Sequence, residues 1–174
     1  METLEAIAKR TSTRKFKETQ ISEENLQAIL KAGMAAPVGS GLYDSLHITI
    51  IQDMEILNVI GDAVTEMVSK KFGKRIDKNF GAPTMIVVSS KPAVFPGVEY
   101  ANAACVIENM AIAATSLGID NVVWAGPTAV ISKDTVIRNT IHIPDDFNPI
   151  LCISFGYGTE ISKPKNHEIT TNRI

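Results

Sequence analysis

Cysteine is nearly missing from this 174-residue chain: Cys105 and Cys152 are its only two, far apart and each within an apolar stretch (AACVIEN and PILCISF). With no C-x-x-C, neither a zinc ligand set nor a disulfide framework is available. Both thiols are therefore expected as small buried hydrophobes, in a reducing, cytoplasmic setting. Histidine is as thin. His47, His142 and His167 fall on a strand, a loop and the tail, too scattered for metal-ligand spacing. No run approaches the ~20 apolar residues of a membrane span. METLEAIAKR is charged and amphipathic, without the apolar core of a secretory leader. The glycine motifs of common catalysts are missing too. There is no G-x-S-x-G elbow and no Walker A loop, and neither GSG (39–41) nor GYG (156–158) leads to the third glycine of a dinucleotide fingerprint. If the chain is an enzyme, a bound cofactor has to bring the chemistry.

What is present begins with enough apolar residues, 45% of the chain, for one core built without staples. A net charge of −2 and a pI near 5.9 argue against polyanion binding by the surface as a whole. Against that background Lys9 to Lys17 carries five basic residues and no acidic one, around the stretch RTSTRKF. Arg10 offers a bidentate fork, Ser12 a hydroxyl, and loop amides further donors: the groups a phosphate needs. The arm leaves a helix at its C-terminal end, so that dipole opposes an anion and side chains must supply the charge. Phe16 is the arm's single aromatic, with no stacking platform beside it, which argues against nucleic acid. An exposed charge run is common in itself.

Helical spacing of Leu4, Ile7 and Ala8 predicts a short amphipathic helix over 2–9. Ser22 is placed to cap a second helix, which Ala36-Pro37 ends before a flexible VGSG loop. Strands are predicted at 47–52, 84–90, 121–124 and 149–158, the second buried on both faces. Helices are predicted at 53–69, at 99–117 and, after Ser132, at 132–140. The helix at 99–117 is apolar around most of its circumference and belongs in the centre of the fold. Glu108 and Asn109 interrupt it; with no second acid or histidine at helical spacing they read as an exposed edge or a satisfied hydrogen bond. Lys74 and Lys78, in the basic stretch 70–81, read as a solvated face.

The order of these segments resembles the nitroreductase family. A short helix, R-x-S-x-R/K-x-F, a Ser-capped helix ending in A-A-P, GAPTMIVV (81–88), an Ala-rich helix ending SLGI, VWAG (123–126), the turn from Arg138 to Pro144 and FGYG follow in the family's sequence. The resemblance implies an α+β fold, a central mixed β-sheet flanked by helices, in an intertwined homodimer with FMN at the interface. One domain would span 1–174, with 162–174 a tail reaching the partner subunit. It implies a hydride passed from NADH or NADPH through flavin N5 to a small electron-poor acceptor, a nitroaromatic or quinone. Arg10, Thr11 and Ser12 would hold the phosphate and Arg14 the pyrimidine edge of the ring. Lys163 and Lys165, or failing them Arg173, would form a second phosphate clamp. The Ala125 or Gly126 amide would face N5, with no side-chain acid required. Pro37, Val38, Gly39 and Gly41 would approach the flavin through their backbone. The chain departs from the family where A-P-S-x-x-N-x-Q-P-W becomes APVGSGLYDS, and in a short segment between the central strands. The altered loop keeps open a rival, a flavin-binding sensor, carrier or partner module without turnover.

Overall fold

Unbroken buried runs at the two central strands set the architecture. The computed structural model describes residues 1–73, 78–160 and 167–174. Helix α1 (Thr3–Lys9) precedes the basic arm, and α2 (Glu23–Met34) follows it. Then come β1 (Leu46–Ile51), α3 (Met54–Phe72), β2 (Thr84–Ser90), α4 (Val98–Ser116), β3 (Asp120–Trp124), α5 (Gly126–Ile131), α6 (Thr135–Thr140) and β4 (Asn148–Gly156). The strands form one sheet in the order β1-β2-β4-β3. Every ladder in it is antiparallel. The expected mixed character is confined to one isolated parallel bridge, where Ser12 of the arm meets Asn121 of β3.

All seven residues of β2 are buried, because helices cover both faces. Ile86 and Val88 join Ile153 and Phe155 under α2 and α4. Met85 and Val87 point the other way, with Cys152, toward α3, α5 and α6. Period-two alternation thus splits one apolar run between two core layers.

Local chemistry explains the helix ends. Ser22 Oγ accepts the Asn25 N–H at 3.2 Å, as expected for the cap of α2. Asp53 caps α3, accepting from Glu55 and Ile56 at 2.8 and 3.2 Å. Helix α3 runs through Lys70 and Lys71 to Phe72 and stops at Gly73, whose φ of +62° suits glycine. Helix α2 packs closely on α4 because position 33 has no side chain; a Cβ there would run into Met110.

Four expectations need correction. Helix α1 exists, but Leu4 is 80% exposed and Ile7 48%, while Ala6 is the buried residue. Helix α4 packs against α1, α2 and three strands, yet Ala101, Ala104, Cys105 and Glu108 form an open side, so Cys105 is exposed, not buried. The helix expected at 132–140 starts later, at Thr135: Asp134, not Ser132, caps it, accepting from Val136 and Ile137 at 2.9 and 3.0 Å. Before it lies a helix not expected at all, GPTAVI at 126–131, whose Pro127 is tolerated in a first turn because the missing N–H has no acceptor there. Finally, VGSG is a bonded 3-10 turn, not a free loop: the Gly39 N–H meets Asn102 Oδ1 at 2.9 Å. No helix among the described residues is long and apolar enough to cross a membrane.

Candidate functional site

The arm is laid along the open edge of β3. Thr13 donates its N–H to Asn121 O at 3.0 Å, Phe16 to Phe80 O at 3.0 Å and Lys17 to Tyr157 O at 2.8 Å, while Lys15 O accepts from Thr159 at 3.0 Å. Thr13 and Phe16 are buried and act as anchors. Asp120 supports them from below, accepting the Gly158 N–H at 2.7 Å and the Thr13 hydroxyl at 3.4 Å. With the backbone pinned, Arg10, Thr11 and Ser12 stay partly open and Arg14 fully so.

Arg10 and Ser12 line one hollow of about 310 Å³, together with Ala104, Ile107, Glu108, Val123 and Leu151. A cation and a hydroxyl thus stand beside a floor made by α4, β3 and β4 that is apolar but for the Glu108 carboxylate. Such a mixture suits a ligand that is anionic at one end and flat and apolar over the rest. Arg14 lies at the edge of the arm with a long 3.5 Å contact from Nη1 to Ser12 O.

Val38 lines a different cavity of about 450 Å³, with Gly33, Met34, Tyr43, Leu46, His47, Ile48, Val88 and Val106. At 100° per residue Val106 lies nearly opposite Ala104 and Glu108 on α4. The fold therefore separates the 37–41 turn from the Arg10 hollow within one chain. Pro37, Gly39 and Gly41 are exposed, and Gly41 has a φ of +67°. Ala125 is exposed and Gly126 partly so, at the start of α5, where a first-turn amide has no acceptor within the helix. Neither borders the Arg10 hollow. Lys163 and Lys165 lie outside the described residues, as does Lys74. Arg173 is exposed.

Several residues went unread in the sequence. Asn102 left a signal, as an amide inside the most apolar helix. Asp120, Ile107, Val123 and Leu151 left none, since only the sheet order and the packing of α4 on the sheet bring them beside the arm. Glu108 is exposed and Asn109 donates to Ala32 O at 3.1 Å, as their surroundings suggested. Among the described residues no cluster of histidine, cysteine, aspartate and glutamate could hold a metal. Burial pushes the Cys152 thiol far above its ordinary pKa, so it carries no nucleophilic chemistry at neutral pH.

The family model for nitroreductases matches residues 7–157, from the end of α1 to the residue after β4. The chain belongs to the nitroreductase family. Its match extends over most relatives' length as well. A protein of Archaeoglobus fulgidus, provisionally named NADH dehydrogenase/NAD(P)H nitroreductase, is 29% identical over 90% of this chain and 85% of its own. A Methanothermobacter thermautotrophicus protein of the same provisional name is 28% identical over 92% and 79%. A Bacteroides fragilis nitroreductase solved with bound FMN is 28% identical, covers 100% of this chain and 97% of its own, and superposes with a TM-score of 0.83. A Desulfitobacterium hafniense nitroreductase, also solved with FMN, has the same fold at a TM-score of 0.85, covering 99% of this chain and 100% of its own at 23% identity. Membership makes this chain an oxidoreductase with the α+β nitroreductase fold.

Proposed function

We propose that this nitroreductase uses FMN, takes its electrons from NADH or NADPH, and passes them to a small electron-poor acceptor of the nitroaromatic or quinone class. The observation that carries the reading is the hollow in which Arg10 and Ser12 meet an apolar floor. Its chemistry fits the cofactor: a fork and a hydroxyl for a phosphate, and Ala104, Ile107, Val123 and Leu151 to keep water from an apolar body. When bound, FMN supplies hydride transfer at N5.

Arg10, Ser12 and the neighbouring Thr11 hold the phosphate. Arg14, whose side chain is exposed, brings positive charge to the pyrimidine edge of the ring, where charge grows on reduction. Gly126 or Ala125 donates a backbone N–H to N5 from the start of α5. No side-chain acid is assigned.

The 37–41 turn lies across α4 from the hollow, so it serves the flavin bound mainly by a second copy. A homodimer follows from the same reading. Leu4 and Ile7 of α1, with Ala101, Ala104 and Cys105 of α4, give such a copy an apolar surface to cover. The tail, 162–174, ends the single domain by reaching the partner, with Lys163 and Lys165 as its phosphate clamp; its described part, 167–174, is exposed throughout. The free, exposed Cys105 suits a reducing cytoplasm.

Absorption spectra of the desalted protein with added FMN, for wild type and an Arg10→Ala, Ser12→Ala variant, test the cofactor. Flavin bands should persist in the first and fade in the second. Anaerobic NADH or NADPH should then bleach the wild-type bands. A protein that holds flavin but is not bleached by either donor is the sensor or carrier. One that takes up no FMN refutes the reading.

A further inference from the structure

Two consecutive residues, Asn79 and Phe80, hold left-handed backbone with φ of 44° and 54°. Asparagine tolerates that region; a bulky aromatic rarely does, so the surroundings must impose it. Neither residue belongs to the site described above. Both touch its supports.

The Phe80 carbonyl accepts the Phe16 N–H at 3.0 Å, which fixes the end of the basic arm. Its ring packs on Trp124 with centroids 4.9 Å apart. Asn79 is buried and starts a polar chain in the opposite direction. Its Nδ2 donates to Ala82 O at 2.8 Å and its Oδ1 accepts the Ser154 hydroxyl at 3.0 Å. Ser154 Oγ in turn accepts the Trp124 indole N–H at 3.1 Å. The directions are forced: an indole only donates and a carbonyl only accepts, so each link has one polarity. Trp124 ends β3, and its ring is the floor under Gly126, 3.3 Å from where a Cβ would stand.

We propose that Asn79 and Phe80 are positioning residues that tie the arm bearing Arg10 and Ser12 to the Trp124–Gly126 turn through one strained support. The inference rests on the flavin reading: the phosphate anchor and the N5 amide then keep their spacing because both hang on the same turn. Removing a polar link leaves the indole, the hydroxyl or the amide unpaired in a buried place, and Trp124 shifts to recover a partner.

Asn79→Gly keeps the backbone conformation accessible and deletes both side-chain bonds, whereas Ser154→Ala deletes the middle link. Trp124 is the chain's single tryptophan, so its emission reports the turn directly, even without flavin. Both variants should shift that emission, weaken FMN binding about tenfold and displace the midpoint potential of the bound flavin. Arg10→Ala should weaken FMN without moving the emission. In a Trp124→Phe background, Ser154→Ala should no longer displace the potential. Folded variants with wild-type emission and potential overturn the proposal, as does a potential shift that persists unchanged in the Trp124→Phe background. A wild type that binds no FMN refutes the flavin reading instead, and unshifted emission in the variants then also removes the hold on Trp124.

Discussion

Adding one carbon at Gly126 should strain the protein in a way that a second substitution relieves. A Cβ built there lies 2.9 Å from Val64 Cγ1 and 3.3 Å from Trp124 Cε3. Val64 is 1% exposed and belongs to the core between α3 and the sheet, so it has little room to yield. Overpacking of this kind costs roughly 1–3 kcal/mol. Alanine returns about 0.4–1 kcal/mol by narrowing the unfolded ensemble, since no positive φ is required at this position. The net expectation for Gly126→Ala is a loss of about 1–2 kcal/mol, or roughly 2–8 °C in Tm for a chain of this length. Val64→Ala should lose about 2 kcal/mol, from two buried carbons and part of the void they leave. The double variant places the new methyl in that void. It should lose about 2 kcal/mol, well short of the sum, giving a coupling of about 1–2 kcal/mol. Urea titration of the four proteins measures this cycle, with m-values checked for constancy. An additive cycle would show that Gly126 is not pressed against Val64. Flavin affinity of the same set then tells whether the turn's position matters to the site or only to stability.

Three further outcomes follow from single groups. Arg138 Nη2 donates to Pro144 O at 2.8 Å, Asp145 O at 3.1 Å and Phe147 O at 2.5 Å, so Arg138→Ala should loosen the turn between α6 and β4. We expect a loss of about 1–2 kcal/mol and faster amide exchange across 141–147, with lysine rescuing little because it lacks the planar fork. The two cysteines should differ. Cys152 should react with a thiol reagent only after denaturation, whereas Cys105 should react natively in the monomer and more slowly where a second copy covers α4; fast native reaction at Cys152 would contradict its burial. Because burial raises the folded Cys152 pKa above its ordinary value of 9.0, the unfolded chain ionises first. Stability is then unaffected below about pH 9 and falls above it by up to about 1.4 kcal/mol per pH unit. Cys152→Ala should remove that component of the alkaline loss.

The sequence by itself determined the elements and the chemistry they offer. Short apolar, β-rich runs located every strand and helical spacing most helices, because local geometry dictates which side chains share a face. Ser22 announced its cap, and the arm announced an anion through side-chain charge alone. Short-range pattern was weakest where a proline stood inside a six-residue helix, at Pro127. It also misjudged Leu4, Ile7 and Cys105: apolar residues on a helix face tell that the face is to be covered, not that this chain covers it. Only the tertiary structure decided that β3 is an edge, that the arm lies along it, and that Val123 and Leu151 therefore floor the hollow beside Arg10 and Ser12. It alone set the 37–41 turn across α4 from that hollow and hung the arm and Trp124 on a common turn at Asn79–Phe80. Those are contacts between segments tens of residues apart, and they depend on strand order, which no local spacing encodes.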